Sequence, residues 1–316
     1  MANAPQSCHL YINDAGNAFD QALKAEAQSV ALELTREGFP IFVDISFAQG
    51  DAREQQRQIE SDRASGHPPD LFVVIPVDQG TIYPIVSEIA RGQDNATCVI
   101  LQQPLTAMLR SERESYKERL FSVVTDQAEI GRLQARQFTA LLAEGRGDIL
   151  YVQGAEHSYA THQRMKGMVE ELPPGVKLSG RRVFGDWTPG SVNGAIEGWK
   201  SLGGRLEWIQ AAGAQSDDMA IALADYVKAA GSQIPVIGVD GLALGRSAVD
   251  AGVLAATVIQ PTGVGTALRA FWDLARGVPG QSLISDDGNI VLMPESYPPL
   301  DDLKPKTATP SNRAVL

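Results

Sequence analysis

The segment from Ile234 to Gln260 shows the pattern that organises this chain. An apolar run, Pro235-Val236-Ile237-Gly238-Val239, stops at Asp240-Gly241; a stretch of helical spacing follows, then Gly252. A second apolar run, Leu254 to Ile259, stops at Gln260-Pro261. Both runs are apolar at successive positions, as strands buried on two faces must be, which predicts a parallel sheet covered by helices. In open sheets of that kind ligands sit beyond the carboxyl ends of the strands, and Asp240 and Gln260 fall there.

The same alternation extends along the chain. Strand-like runs lie at His9–Asn13, Pro40–Ile45, Leu71–Ile75, Thr97–Leu101, Phe121–Val124, Asp148–Val152, Arg181–Phe184, Leu206–Gln210, Val236–Val239, Leu254–Ile259 and Ile290–Met293. Amphipathic stretches fill the gaps. Between Asn17 and Glu37, Phe19, Leu23, Val30 and Leu34 recur at helical spacing, and Gly38 is placed to end the helix. Repeated βα units imply parallel sheets with right-handed crossovers. The strands are too many for one compact doubly wound sheet and suit two. A (β/α)8 barrel is the architectural rival, and the strand count alone leaves it open.

Composition supports two globular cores. At 316 residues the length prior is two domains, and a hydrophobic content of 44% suffices to fill both. A net charge of -11, spread through the helices, argues against a nucleic-acid or anionic-membrane surface, which needs clustered Lys and Arg. Cys8 and Cys98 are far apart and make no metal or redox spacing; Cys98, inside an apolar run, is expected as a buried thiol. No apolar run approaches the ~18 residues of a membrane span. The amino terminus lacks the basic segment and apolar core of a signal peptide, so the expectation is either an export signal removed or a cytoplasmic protein.

Motifs for chemistry are few. Gly263-Val264-Gly265 lacks the third glycine and the strand-turn context of a dinucleotide fingerprint, and no phosphate loop is present. Asn95-Ala96-Thr97 matches a glycosylation sequon at a strand entrance, and Arg146-Gly147-Asp148 is a match expected by chance. His9, His67, His157 and His162 form no metal-ligand array with the acids, and no serine sits in a nucleophile elbow. The expectation is a binding protein without catalytic residues, metal or cofactor.

The blocks around Asn17, Gly154–Gly167, Asp217-Asp218-Met219-Ala220 and 235–261 resemble the type I periplasmic solute-binding proteins, the ribose- and galactose-binding family, whose fold also serves as effector domain in lac-repressor-type regulators. The resemblance runs from about Leu10 to Met293. It implies two doubly wound α/β lobes joined by three crossovers, near Thr125–Asp126, Gln260–Pro261 and Asn289. Residues 1–125 with 261–289 would form the N-terminal lobe, 126–260 with 290–300 the C-terminal lobe, and 301–316 a polar, poorly ordered tail.

The resemblance also nominates a ligand cleft between the lobes. Asn17 would hydrogen-bond the ligand and Phe19 pack on an apolar ring face, although Asn17 also suits an N-cap and Phe19 a core anchor. Arg164 matches a ligand-binding arginine whose planar fork serves several acceptors; a surface helix position is its other reading. Trp187 falls where the family keeps a stacking aromatic, with packing as the alternative. Ser216 takes the place of a polar ligand contact, whereas Asp217 and Asp218 suit the start of the next helix. Asp240 and Gln260 complete the set; His162 is as well explained as a helix-surface residue.

This chain departs from the family at two places. Gln102-Gln103-Pro104 replaces an adjacent Asp-Arg pair, so Gln102 becomes the polar contact after the fourth strand. Pro76 replaces a polar residue after the third, leaving Asp78 as a substitute. The pocket expected is polar and weakly charged, suited to a sugar, polyol, cyclitol or nucleoside-like ligand. The function implied is a solute receptor that closes by a hinge, as the substrate-binding component of an ABC importer with a permease as partner. The alternative is a ligand sensor acting on a kinase or other regulatory partner. The location implied is periplasmic if an export signal was removed, and otherwise cytoplasmic.

Overall fold

A computed structural model describes residues 5–92, 96–106, 109–111, 119–180, 182–277 and 284–305. Asn95 of the sequon, Arg181 at the start of one expected strand, and the tail from 306 lie outside the described residues. The chain divides into two compact units, Met1–Thr125 with Pro261–Leu292, and Asp126–Gln260 with Met293–Leu316.

The first unit contains six parallel strands: β1 (Gln6–Ile12), β2 (Ile41–Phe47), β3 (Leu71–Val74), β4 (Thr97–Leu101), β5 (Leu120–Thr125) and β11 (Asn289–Leu292), in the order β11-β5-β4-β3-β1-β2. Every residue of β3, β4 and β5 is buried, which is why these runs read as continuously apolar rather than alternating. Helices α1 (Ala18–Arg36), α2 (Ala52–Arg63) and α3 (Gln79–Arg91) follow the first three strands, and α9 (Val264–Ala275) packs with α1 on one face. Helix α1 is entered through an Asn17 cap and left through Gly38 at φ 93°, as the sequence predicts.

Strand β11 was expected in the second lobe, but it pairs with β5. The buried Asn289 side chain explains the attachment. Its Oδ1 accepts from the Ser122 hydroxyl at 2.6 Å and from the Leu105 amide at 3.0 Å, so the strand is tied to the first sheet by polar groups that need a partner there.

The second unit holds β6 (Gly147–Val152), β7 (Val176–Leu178), β8 (Ala211–Ala214), β9 (Val236–Asp240), β10 (Ala256–Ile259) and β12 (Glu295–Tyr297), in the order β12-β10-β9-β8-β6-β7. All pairs are parallel except the β12 edge. Helices α4 (Gln127–Leu141), α5 (Tyr159–Glu171), α6 (Ser191–Ser201), α7 (Asp217–Ala229) and α8 (Ala243–Asp250) cover its faces. Both sheets are therefore doubly wound, which excludes the barrel. In each, the connection reverses direction once, between β1 and β3 and between β6 and β8, which makes the carboxyl edge there a ready-made crevice.

Two strand expectations and the start of the tail need correcting here. Leu206–Gln210 forms a 3-10 turn at Leu206–Trp208, and the strand is the next segment, Ala211-Ala212-Gly213-Ala214. Small residues are required in it, because a Cβ at Gly213 would lie 2.7 Å from the Phe138 ring. Near Phe184 there is only a single bridge to Gln153, and the edge strand lies earlier, at Val176–Leu178. The first residues of the expected tail are structured, since a 3-10 turn spans Leu300–Asp302 and Leu303 packs in the second core.

Candidate functional site

The carboxyl edge of the second sheet gathers five of the nominated residues. Arg164, on α5, is 4% exposed. Its Nε donates to Gln127 Oε1 at 2.8 Å, Nη1 to the Gln215 carbonyl and Nη2 to Gln260 Oε1. The guanidinium therefore joins α4, the end of β8 and the end of β10. Burial lowers its pKa, while Asp240, then Tyr151 and Asp217, favour the charged form. The surface-arginine reading fails, because this face of α5 is driven against α4. A Cβ at Gly167 would lie 1.8 Å from the Ala128 carbonyl, and one at Gly131 would lie 1.9 Å from the Arg164 carbonyl. Two glycines thus let the backbones touch and place Arg164 inside.

Trp187 stands beside it, with the guanidinium carbon 5.4 Å from the ring centroid, within cation–π range. The ring covers Gly154, where any Cβ would fall 2.2 Å from it. Ser216 caps α7, accepting from the Met219 amide at 3.3 Å, and is 5% exposed. Asp240 ends β9. Burial and then the Asp217 charge push its carboxyl well above the usual range, and Arg164 with the Asp217 backbone N–H acts the other way. Gln260, 5% exposed, is fixed by Arg164.

Two backbone outliers mark this edge. Trp187 has φ 75° and Asp240 φ 109°, left-handed values that cost an L residue roughly 1–3 kcal/mol. Such strain persists where side-chain direction matters more than local comfort.

Asn17, Phe19 and Gln102 lie in the first unit. Asn17 Oδ1 accepts from the Phe19 and Asp20 amides at 2.9 and 3.2 Å, so the cap is real; its amide nitrogen is not part of it. Phe19 is half-buried and packs against the first core. Gln102, at φ 63°, uses Nε2 to donate to the Thr262 carbonyl at 2.6 Å and to Pro261 at 3.3 Å. That side chain holds the segment entering α9 through its amide nitrogen. Asp78 caps α3, its Oδ2 accepting from Thr81 N at 2.7 Å and from the Thr81 hydroxyl at 2.8 Å. His162 is exposed.

Sequence reasoning passed over Gln127 and Gln215, both buried. Gln215 Oε1 accepts from Gly154 N at 3.0 Å while its carbonyl accepts from Arg164. A glutamine directly after a buried strand was the signal available. Asp217 does start α7, as the sequence suggests, and its burial, at 4% exposed, is what the sequence did not announce. Among the described residues no cluster of three His, Cys, Asp or Glu side chains could hold a metal, and no helix is long and apolar enough to cross a membrane.

Solved structures share this architecture. A galactofuranose binding protein superposes with a TM-score of 0.77 at 19% identity, covering 93% of this chain and 94% of its own. The periplasmic binding protein component of the arabinose ABC transporter from Shewanella sp. ANA-3 gives 0.75 at 21%, over 91% and 90%. An ABC transporter solute binding protein from Bacillus halodurans C-125 with bound myo-inositol gives 0.72 at 18%, over 94% and 96%. At such identities the likeness shows the fold. The family model described as a periplasmic binding protein domain matches residues 9–278, and the chain belongs to that family.

Proposed function

We propose that this protein is a solute receptor for a small polyhydroxylated ligand, a sugar or sugar-like polyol or cyclitol, and acts as the substrate-binding component of an ABC importer. The observation that carries the reading is the carboxyl-edge cluster of buried Arg164, Gln215 and Gln260 with the partly exposed Asp240, beside the half-buried Trp187 ring. Hydroxyls need donors and acceptors together, and this cluster offers both; the sugar C–H face needs an aromatic wall. Asn17, Phe19, Gln102 and Ser216 are proposed as further contacts. Structural relatives whose descriptions name arabinose, galactofuranose and myo-inositol support the same ligand class. Family membership supports a periplasmic location and a permease partner.

The test is a thermal-shift screen of ligand-free protein against pentoses, hexoses, polyols, cyclitols, nucleosides and amino acids, with calorimetry on each hit. A ligand at 100 times its Kd stabilises the fold by about 2.7 kcal/mol, an easily read shift. Binding within the polyhydroxylated group is the expected result. Binding confined to amino acids, or none at all, defeats the proposal.

A further inference from the structure

Asp217 is an oddly expensive residue for a helix start. Its carboxyl is buried, and burial pushes it up to about 7 against the opposing effect of its hydrogen bonds with Thr257 and Gly241. Oδ1 accepts from the Thr257 hydroxyl at 2.6 Å on β10, and Oδ2 accepts from the Gly241 backbone N–H at 2.9 Å. One side chain on α7 thereby ties the turn after β9 to the body of the neighbouring strand β10.

The surroundings are shaped to admit that carboxylate. A Cβ at Gly238 would lie 2.2 Å from Oδ1, and a Cβ at Gly245 would lie 1.8 Å from Oδ2. Neither glycine has a positive φ, so the backbone does not call for glycine at either place; the carboxylate does. Gly241 is different. It sits at φ 60° immediately after Asp240 at φ 109°, so the chain makes two successive left-handed steps as β9 ends. The amide of the second step is the one Asp217 holds.

We infer that Asp217 is the positioning residue of the ligand site: by gripping the Gly241 amide and Thr257 it holds the strained Asp240-Gly241 turn and so aims the Asp240 carboxyl. The inference rests on the reading of Asp240 as a ligand contact. It separates two roles for neighbouring acids, one that meets the ligand and one that never does. An asparagine could do the same work without charge, its carbonyl accepting from Gly241 and its amide donating to a rotated Thr257 hydroxyl. Alanine could not.

The experiment compares wild type with Asp217→Asn, Asp217→Ala and Gly245→Ala, whose added methyl pushes on Oδ2 from a helix away from the ligand contacts. Calorimetry with L-arabinose and myo-inositol measures affinity, and amide exchange at Gly241 is followed in the ligand-free proteins. Asp217→Asn is expected to bind within about threefold of wild type with Gly241 still protected, while Asp217→Ala and Gly245→Ala lose at least about tenfold in affinity and expose the amide. Should Asp217→Ala fail to fold, Gly245→Ala carries that arm. Equal losses in the asparagine and alanine variants would overturn the inference, since charge rather than grip would then matter; so would unchanged binding in alanine. If wild type binds neither probe, the ligand reading is in doubt, and Gly241 exchange decides alone: equal protection in every variant rejects Asp217 as the holder of the turn.

Discussion

Asp240 occupies backbone space that glycine enters freely, and pays for it twice. Its φ of 109° is strained by roughly 1–3 kcal/mol, and its carboxyl is held away from water beside Asp217. Neither cost helps the fold. Asp240→Gly relieves both, so the melting temperature should rise while affinity for the ligand falls by on the order of 1–3 kcal/mol, the worth of a lost charged hydrogen-bond acceptor. Thermal melts and calorimetry on the same preparation measure the two together. A variant that melts higher and binds equally well would remove Asp240 from the contacts. Gln102 shows the same left-handed signature, at φ 63°, with a different use, since its amide nitrogen faces the carbonyls of Pro261 and Thr262. Strain marks a residue whose direction matters, and the partner then says what the direction is for.

Between elements, α4 packs directly on α5, where Gly131 and Gly167 leave no room for a methyl group. Gly131→Ala must part the helices or bend one, which costs about 1–3 kcal/mol as overpacking does. Because Arg164 rides on α5 and reaches Gln127 on α4, the same change should also weaken ligand binding, a loss that calorimetry detects alongside the drop in melting temperature. Lost stability with intact affinity would detach Arg164 from the site. Much at this scale was legible in the sequence. Runs such as Thr97–Leu101 are apolar throughout because helices cover both faces, and Asn17 and Gly38 bracket α1 by local backbone chemistry. What escaped was decided by distant partners. Ala211–Ala214 lacks strand-forming residues and is a strand because Phe138 and Ile237 crowd Gly213. Gln127 and Asp217 gain their roles from groups 37 and 40 residues away, at Arg164 and Thr257, which no local pattern announces. Strand β11 likewise follows Asn289 to Ser122, 167 residues earlier.

Across the whole molecule, both cysteines lie in the first unit and on one sheet, Cys8 on β1 and Cys98 on β4, each at most 2% exposed and with no disulfide. Burial pushes both thiols far above the usual range, so neither offers a reactive thiolate while the sheet is intact. The two sulfurs belong to different apolar clusters, one on each face of the sheet, because β1 and β4 turn alternate side chains to opposite sides. Strand β3 lies between them in the sheet order, and its residues contribute to both clusters. Opening one face therefore breaks strands that the other face needs, and the two clusters should melt as one cooperative unit. Pulsed labelling with a maleimide across a urea series, read by intact-mass spectrometry, tests this. Native protein should take no label, and through the transition the population should divide between molecules carrying none and molecules carrying two. A dominant singly labelled species would mean that one face of the first sheet opens while the other stays packed.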